Sequence, residues 1–162
     1  MIAALQTYVV WDALWAAGVI VGAVLFAFTL GKHAMVPLLT ALGMSGVVAT
    51  LVPFVDRVPY LANFAPHEER VIGFFIVSAV AFLVFRKNRF FEPCVVPSGW
   101  EQIVLGIIFG GFTLAIIGSF LPADVAASMT PNVRIVFVDE LARAMWLVSP
   151  LAALTVLRGG VD

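Results

Sequence analysis

Apolar residues fill this chain in long unbroken runs, and ionisable side chains are confined to the connectors between them. Residues 13–31, 34–55, 71–85, 103–123 and 144–157 carry no ionisable group, giving runs of 19, 22, 15, 21 and 14 residues. A bilayer core about 30 Å thick takes about 20 apolar helical residues to cross. The pattern therefore predicts one all-α, polytopic transmembrane helix bundle over residues 1–162. Its spans fall at about 8–30, 34–55, 70–87, 103–121 and 135–157.

The breaks between runs follow helix-terminal chemistry. The first helix runs from near Thr7 to Gly31-Lys32, and Tyr8, Trp11 and Trp15 place aromatic rings at the headgroup level of its opening turns. Lys32-His33 is a tight connection. Pro37 falls in the first turn of the second helix, where a missing N–H costs little. Pro53, Asp56-Arg57 and Pro59 mark its exit, so helices one and two are expected as an antiparallel hairpin. Asp56–Arg70 reads as a polar loop. The third run covers about 22 Å at the helical rise; snorkelling of Arg70 and Arg86, with local thinning, absorbs the difference. Pro93 and Pro97 interrupt the next connector, and Pro122 stops the fourth helix.

The last stretch includes Asp139, Glu140 and Arg143. Spacings of four and three put all three on one helix face, where they neutralise one another. Two arrangements fit. Either Val133–Arg143 is an interfacial amphipathic helix leading into a shorter span, which makes four spans plus that helix, or the segment crosses with its charges toward the bundle interior. Ser149-Pro150 predicts a kink.

Composition narrows the function classes. The chain is 62% hydrophobic and 12% charged with a net charge of −1, against about a quarter charged in soluble proteins. Nucleic acid is excluded as a partner, because phosphate neutralisation needs clustered cations. A single cysteine, Cys94, rules out an internal disulfide. The first cationic side chain is Lys32, so no basic leader region opens the chain and helix one is expected to stay as an anchor. The positive-inside rule puts Lys32, Arg86, Lys87, Arg89 and Arg158 on one face and Arg57, Arg70 and Arg134 on the other. This predicts an outer amino terminus and a cytoplasmic carboxy terminus, with Cys94 on the inner side.

Candidate functional residues fall into three groups. Gly18 and Gly22 in helix one, and Gly106, Gly110, Gly111 and Gly118 in helix four, occur at spacings that let helices approach closely in lipid. In helix one, Trp11, Trp15, Gly18, Gly22, Leu25 and Thr29 share a face; helix four is smooth on two sides, as suits the middle of a bundle. Asp12, Asp139, Glu140 and Arg143 are charges at membrane depth, where ion coupling is the alternative to interfacial capping. Arg86, Lys87 and Arg89, followed by Phe90-Phe91, suit anionic headgroups. No catalytic residue, cofactor or metal is expected. His67-Glu68-Glu69 lacks the spacing of a zinc motif and only one other histidine, His33, exists. Ser45, Ser119 and Ser149 have no nucleophile-elbow context.

Trp11-Asp12 opening a helix that ends at Gly31-Lys32 and a tight hairpin resembles the colicin V production family of small prokaryotic membrane proteins. The segments from Gly118 to Pro122 and from Met145 to Pro150 are similar in layout to other small bacterial membrane proteins. The resemblance implies a bacterial inner-membrane protein linked to secretion or envelope processes, and it carries over no catalytic residues. The charged start of the last helix departs from that family's pattern. The expected function is therefore non-enzymatic: a component of a transport, secretion or envelope-assembly system, held in a homo-oligomer or with other membrane subunits. The alternative is a self-contained small channel or transporter that uses the intramembrane acids.

Overall fold

The computed structural model describes residues 2–31, 34–51, 64–87 and 99–158. Among these residues the fold is all-helical, without strands. Helix α1 spans Ile2–Leu30, α2 Met35–Leu51, α3 Pro66–Lys87, α4 Gly99–Phe120, α5 Ala123–Ser128, α6 Pro131–Val133 and α7 Glu140–Arg158. A π-helical turn, Arg134–Val138, continues α6. The chain forms two compact units, residues 1–32 with 97–162, and residues 33–96.

In the first unit α4 lies between α1 and the last helical segment. Its glycines set both contacts. A Cβ on Gly106 would stand 2.7 Å from Val24 Cα, and one on Gly110 would stand 3.0 Å from Ala23 Cβ and 3.1 Å from Ile20 Cα. The pairs Val24–Gly106 and Ile20–Gly110 run in opposite senses, so α1 and α4 are antiparallel. Such backbone approach maximises dispersion contact where neighbours are all apolar. Ala16, Ala23 and Ala27 are the buried small residues of α1, and Phe26 stacks on Phe109 at 6.1 Å between ring centres. Gly111 and Gly118 face the other way, toward Trp146 and the Phe137 carbonyl. Helix α1 ends on Gly31 with φ +79°, a left-handed cap that glycine adopts without a Cβ penalty.

In the second unit α2 packs on α3, burying Leu38, Leu39, Ala41 and Leu42 together with Phe74. Helix α3 starts earlier than the sequence pattern predicts. Pro66 is its first residue, Ala65 N–H donates to Glu68 Oε2 at 3.0 Å, and Ala65 O accepts from Glu69 N–H at 3.1 Å. This one-sided cap, the Glu68 carboxylate on the Ala65 N–H, turns His67–Arg70 from the expected loop into a first turn whose acids favour the positive helix end.

Within its own unit α1 packs antiparallel on α4, and α2 belongs to the other unit. Residues 122–134 contain α5 and α6. One further expectation changes. The segment 135–157 is not one helix, because Asp139 is extended (φ −62°, ψ 145°) and separates the π turn from α7. Among the described residues two helical stretches, Trp11–Leu30 and Gly99–Phe120, suffice by length and composition to cross a membrane, and Met35–Ala49 is apolar but shorter.

Gly106 and Gly22 should respond oppositely to substitution. Gly106→Ala forces the α1 backbone outward and is expected to cost about 1–3 kcal/mol. Gly22→Ala meets no atom within 4 Å and should be neutral or stabilise by up to about 1 kcal/mol through helix propensity. Unfolding of detergent-solubilised protein by a denaturing detergent titration, followed by circular dichroism, measures both.

Candidate functional site

Polar groups gather where the last helix breaks. Pro122 ends α4, and Pro131 opens the short segment that follows, with Thr130 at its cap position. Arg134 N–H donates to Thr130 O at 3.0 Å. The ladder then slips by one residue, Asp139 N–H reaching Arg134 O at 3.0 Å, which is the five-residue step of a π turn. Asp139 leaves helical geometry, and its own carbonyl accepts from Arg143 N–H at 2.9 Å to begin α7.

A break of this kind strands carbonyls that no helix turn satisfies. Trp146 supplies one donor, its indole Nε1–H reaching Val136 O at 2.8 Å. The same ring stacks on Phe137, 5.8 Å between centres and 15° from parallel. It lies so close over Gly111 that a Cβ there would stand 2.2 Å from the ring. Gly118 lets the Phe137 carbonyl approach α4, 3.2 Å from where a Cβ would be. Pro150 creates another orphan in α7, since it has no N–H for Trp146 O; Ser149 Oγ–H donates to that carbonyl at 2.8 Å. Trp146 thus holds both discontinuities of the last segment.

Asp12 ties this region to α1. Its Oδ2 accepts from Thr130 N–H at 3.2 Å, a contact spanning 118 residues of sequence. The carboxylate is half-buried and occupies the amino-terminal cap of the broken segment. Asp139 and Glu140 are exposed on either side of the break. The helix expected to run through Asp139, Glu140 and Arg143 begins only at Glu140, with Asp139 as its extended cap residue. Arg143 is in the first turn of α7, and its Nε is buried without a hydrogen-bond partner.

The remaining candidates are dispersed. Gly18 and Gly22 lie on the exposed face of α1, where a Cβ would meet nothing within 4 Å, and Trp11, Trp15 and Leu25 are exposed with them. The expected glycine face of α1 is thus its open face, and the alanines form the packed one. Arg86 and Lys87 are exposed in the last turn of α3, while Arg89 and Cys94 lie outside the described residues. Hydroxyls bond within their own helices: Ser45 to Ala41 O, Thr113 to Phe109 O and Ser119 to Ile116 O. Among the described residues no group of three or more His, Cys, Asp or Glu is placed to hold a metal.

Sequence reasoning missed Thr130, Phe137 and Trp146. A tryptophan inside an apolar run needs a partner for its N–H, and an acid near a helix start needs donors, but neither rule says which segment supplies them. Comparison with protein-family models, with curated proteins and with solved structures finds no match for this chain.

Trp146→Phe keeps the ring stacking and removes the donor to Val136 O. The bond is exposed, so losing its donor should cost about 0.5–1.5 kcal/mol, and amide exchange within 134–143 should accelerate while α1 and α4 exchange as before. Asp12→Leu should accelerate exchange around Thr130, whereas Asp12→Asn, which retains an acceptor oxygen, should not.

Proposed function

We propose that the protein is a non-enzymatic integral membrane subunit, a component of a transport, secretion or envelope-assembly system in a bacterial inner membrane. The observation that carries this reading is the exposure of α1. In its most apolar stretch only 17% of residues are buried, against 56% for α4, and Trp15 and Leu25 are 72% and 62% exposed. Apolar area left in water costs about 25 cal/mol per Å², so a helix apolar on every side and open on one face calls for lipid or a neighbouring helix. At 162 residues a single copy offers little room for a selective pathway, which favours a part in a larger assembly. The orientation follows the cation distribution, with the amino terminus outside and the carboxy terminus cytoplasmic. The likeness in layout to the colicin V production family agrees with this placement and supplies no residue roles.

The discontinuous last segment favours a second reading, a small channel or transporter, since broken helices line ion sites in transporters. Asp12 separates the two. In a subunit that carboxylate positions the corner at Thr130, and Asp12→Asn is tolerated.

Mild detergent extraction through an affinity tag, with mass measurement and identification of companions, is the first test. A defined companion or homo-oligomer is expected. A lone monomer, with vesicle ion flux abolished by Asp12→Asn or Asp139→Asn, would replace the subunit reading with the transporter one.

A further inference from the structure

The first unit carries its own marks of depth. Contact pairs Val24–Gly106 and Ile20–Gly110, continued along the two antiparallel helices, bring Asp12 level with Gly118 and Leu30 level with Trp100. Pairs Trp146–Gly111 and Val138–Gly118 likewise bring Asp139 level with Gly118 and the carboxy-terminal end of α7 level with Gly99. Helices α1 from Trp11, α4 and α7 therefore cover one common height. From Trp100 to Phe120 that height is about 30 Å at the helical rise, the thickness of a hydrocarbon core.

Its two edges differ chemically from its middle. One edge holds the exposed rings of Trp11 and Trp15, the Asp12–Thr130 link, the open break at Asp139 and the exposed Glu140. The other holds Trp100, 63% exposed, and Glu101. Between them α1 and α4 carry no ionisable residue, and Leu14, Val21, Leu25 and Phe28 of α1 stand exposed. Aromatic rings at two levels with an apolar band between them are the signature of a lipid-facing surface.

Resting on the membrane reading above, we infer that the open face of α1 is covered by acyl chains and that one bilayer surface passes through Asp12, Thr130 and Asp139. The break in the last segment then lies at the headgroup level, where water satisfies the stranded backbone groups that a hydrocarbon core would not. Segment 123–138 lies along that surface, and α7, 19 residues long, is a third crossing that starts there. Arg143 starts about 9 Å below the level of Phe120 by the helical rise. Helical side chains lean toward their amino terminus, which here carries its guanidinium toward the surface. This choice of surface answers the alternative of charges buried in the bundle: Asp139 and Glu140 never enter the core.

The test uses the full chain with Cys94→Ser in nanodiscs of phosphatidylcholine and phosphatidylglycerol. Single cysteines replace Asp139 and Val21 in turn, and a water-soluble maleimide is applied. Asp139→Cys should react readily and Val21→Cys only after detergent is added. Variants retaining Trp146 together with Trp15 or with Trp100 should each show, above the Trp146-only background, fluorescence quenched roughly twofold better by lipid nitroxides near the headgroup than by those at the chain end. Equal quenching at both depths, no lipid quenching of Trp15 at all, or rapid labelling of Val21→Cys would overturn the registration, the second by placing protein on α1. Flotation of the same protein with vesicles is scored separately: failure to float overturns the membrane reading itself.

Discussion

A carbonyl released from a helix needs a new donor, from water or from another side chain, wherever the helix breaks. The last segment of this chain breaks once at Asp139 and loses a further N–H at Pro150, and Trp146 stands between the two. Its indole takes the Val136 carbonyl, and its own carbonyl is taken by Ser149. The ring is held in place by Phe137 and by the absence of a side chain on Gly111. Remove the indole and the Val136 carbonyl is left to water, at about the net cost of one exposed hydrogen bond.

Glycine on α4 makes this possible on one side and binds α1 on the other. Gly106 and Gly110 admit the α1 backbone, while Gly111 and Gly118 admit an indole ring and a carbonyl. Opposite them α1 contributes alanines, because one partner without Cβ atoms already brings the helices close and a second would leave voids. The α1 glycines are consequently free to point outward. Close packing thus consumes the side of each helix that the contact needs and leaves the rest of α1 for its surroundings.

Much of this is legible in the sequence. Run length and the placement of charges announce apolar helices, and the two smooth sides of helix four are visible in its glycine spacing. Helix ends marked by Gly31 and Pro122 follow local chemistry, whereas residues 66–70 read as a loop, because the Glu68 cap on the Ala65 N–H needs coordinates to be recognised. The site is less legible. Asp12 stands out as a charge near a helix start, yet its donor lies 118 residues away, and no local rule reaches that far. Asp139, Glu140 and Arg143 have the spacing of a single face only if the helix runs through them, and the backbone at Asp139 does not.

Residue order alone therefore determined which stretches are helical and apolar, because hydrophobicity, proline and glycine act within a turn or two of where they stand. Tertiary structure decided which helix faces which. It packed α1 on α4, turned the α1 glycines outward, and broke the last helix where Trp146 and Asp12 were at hand to satisfy it. These choices depend on backbone approach and on hydrogen-bond partners distant along the chain, and both exist only once the helices have packed.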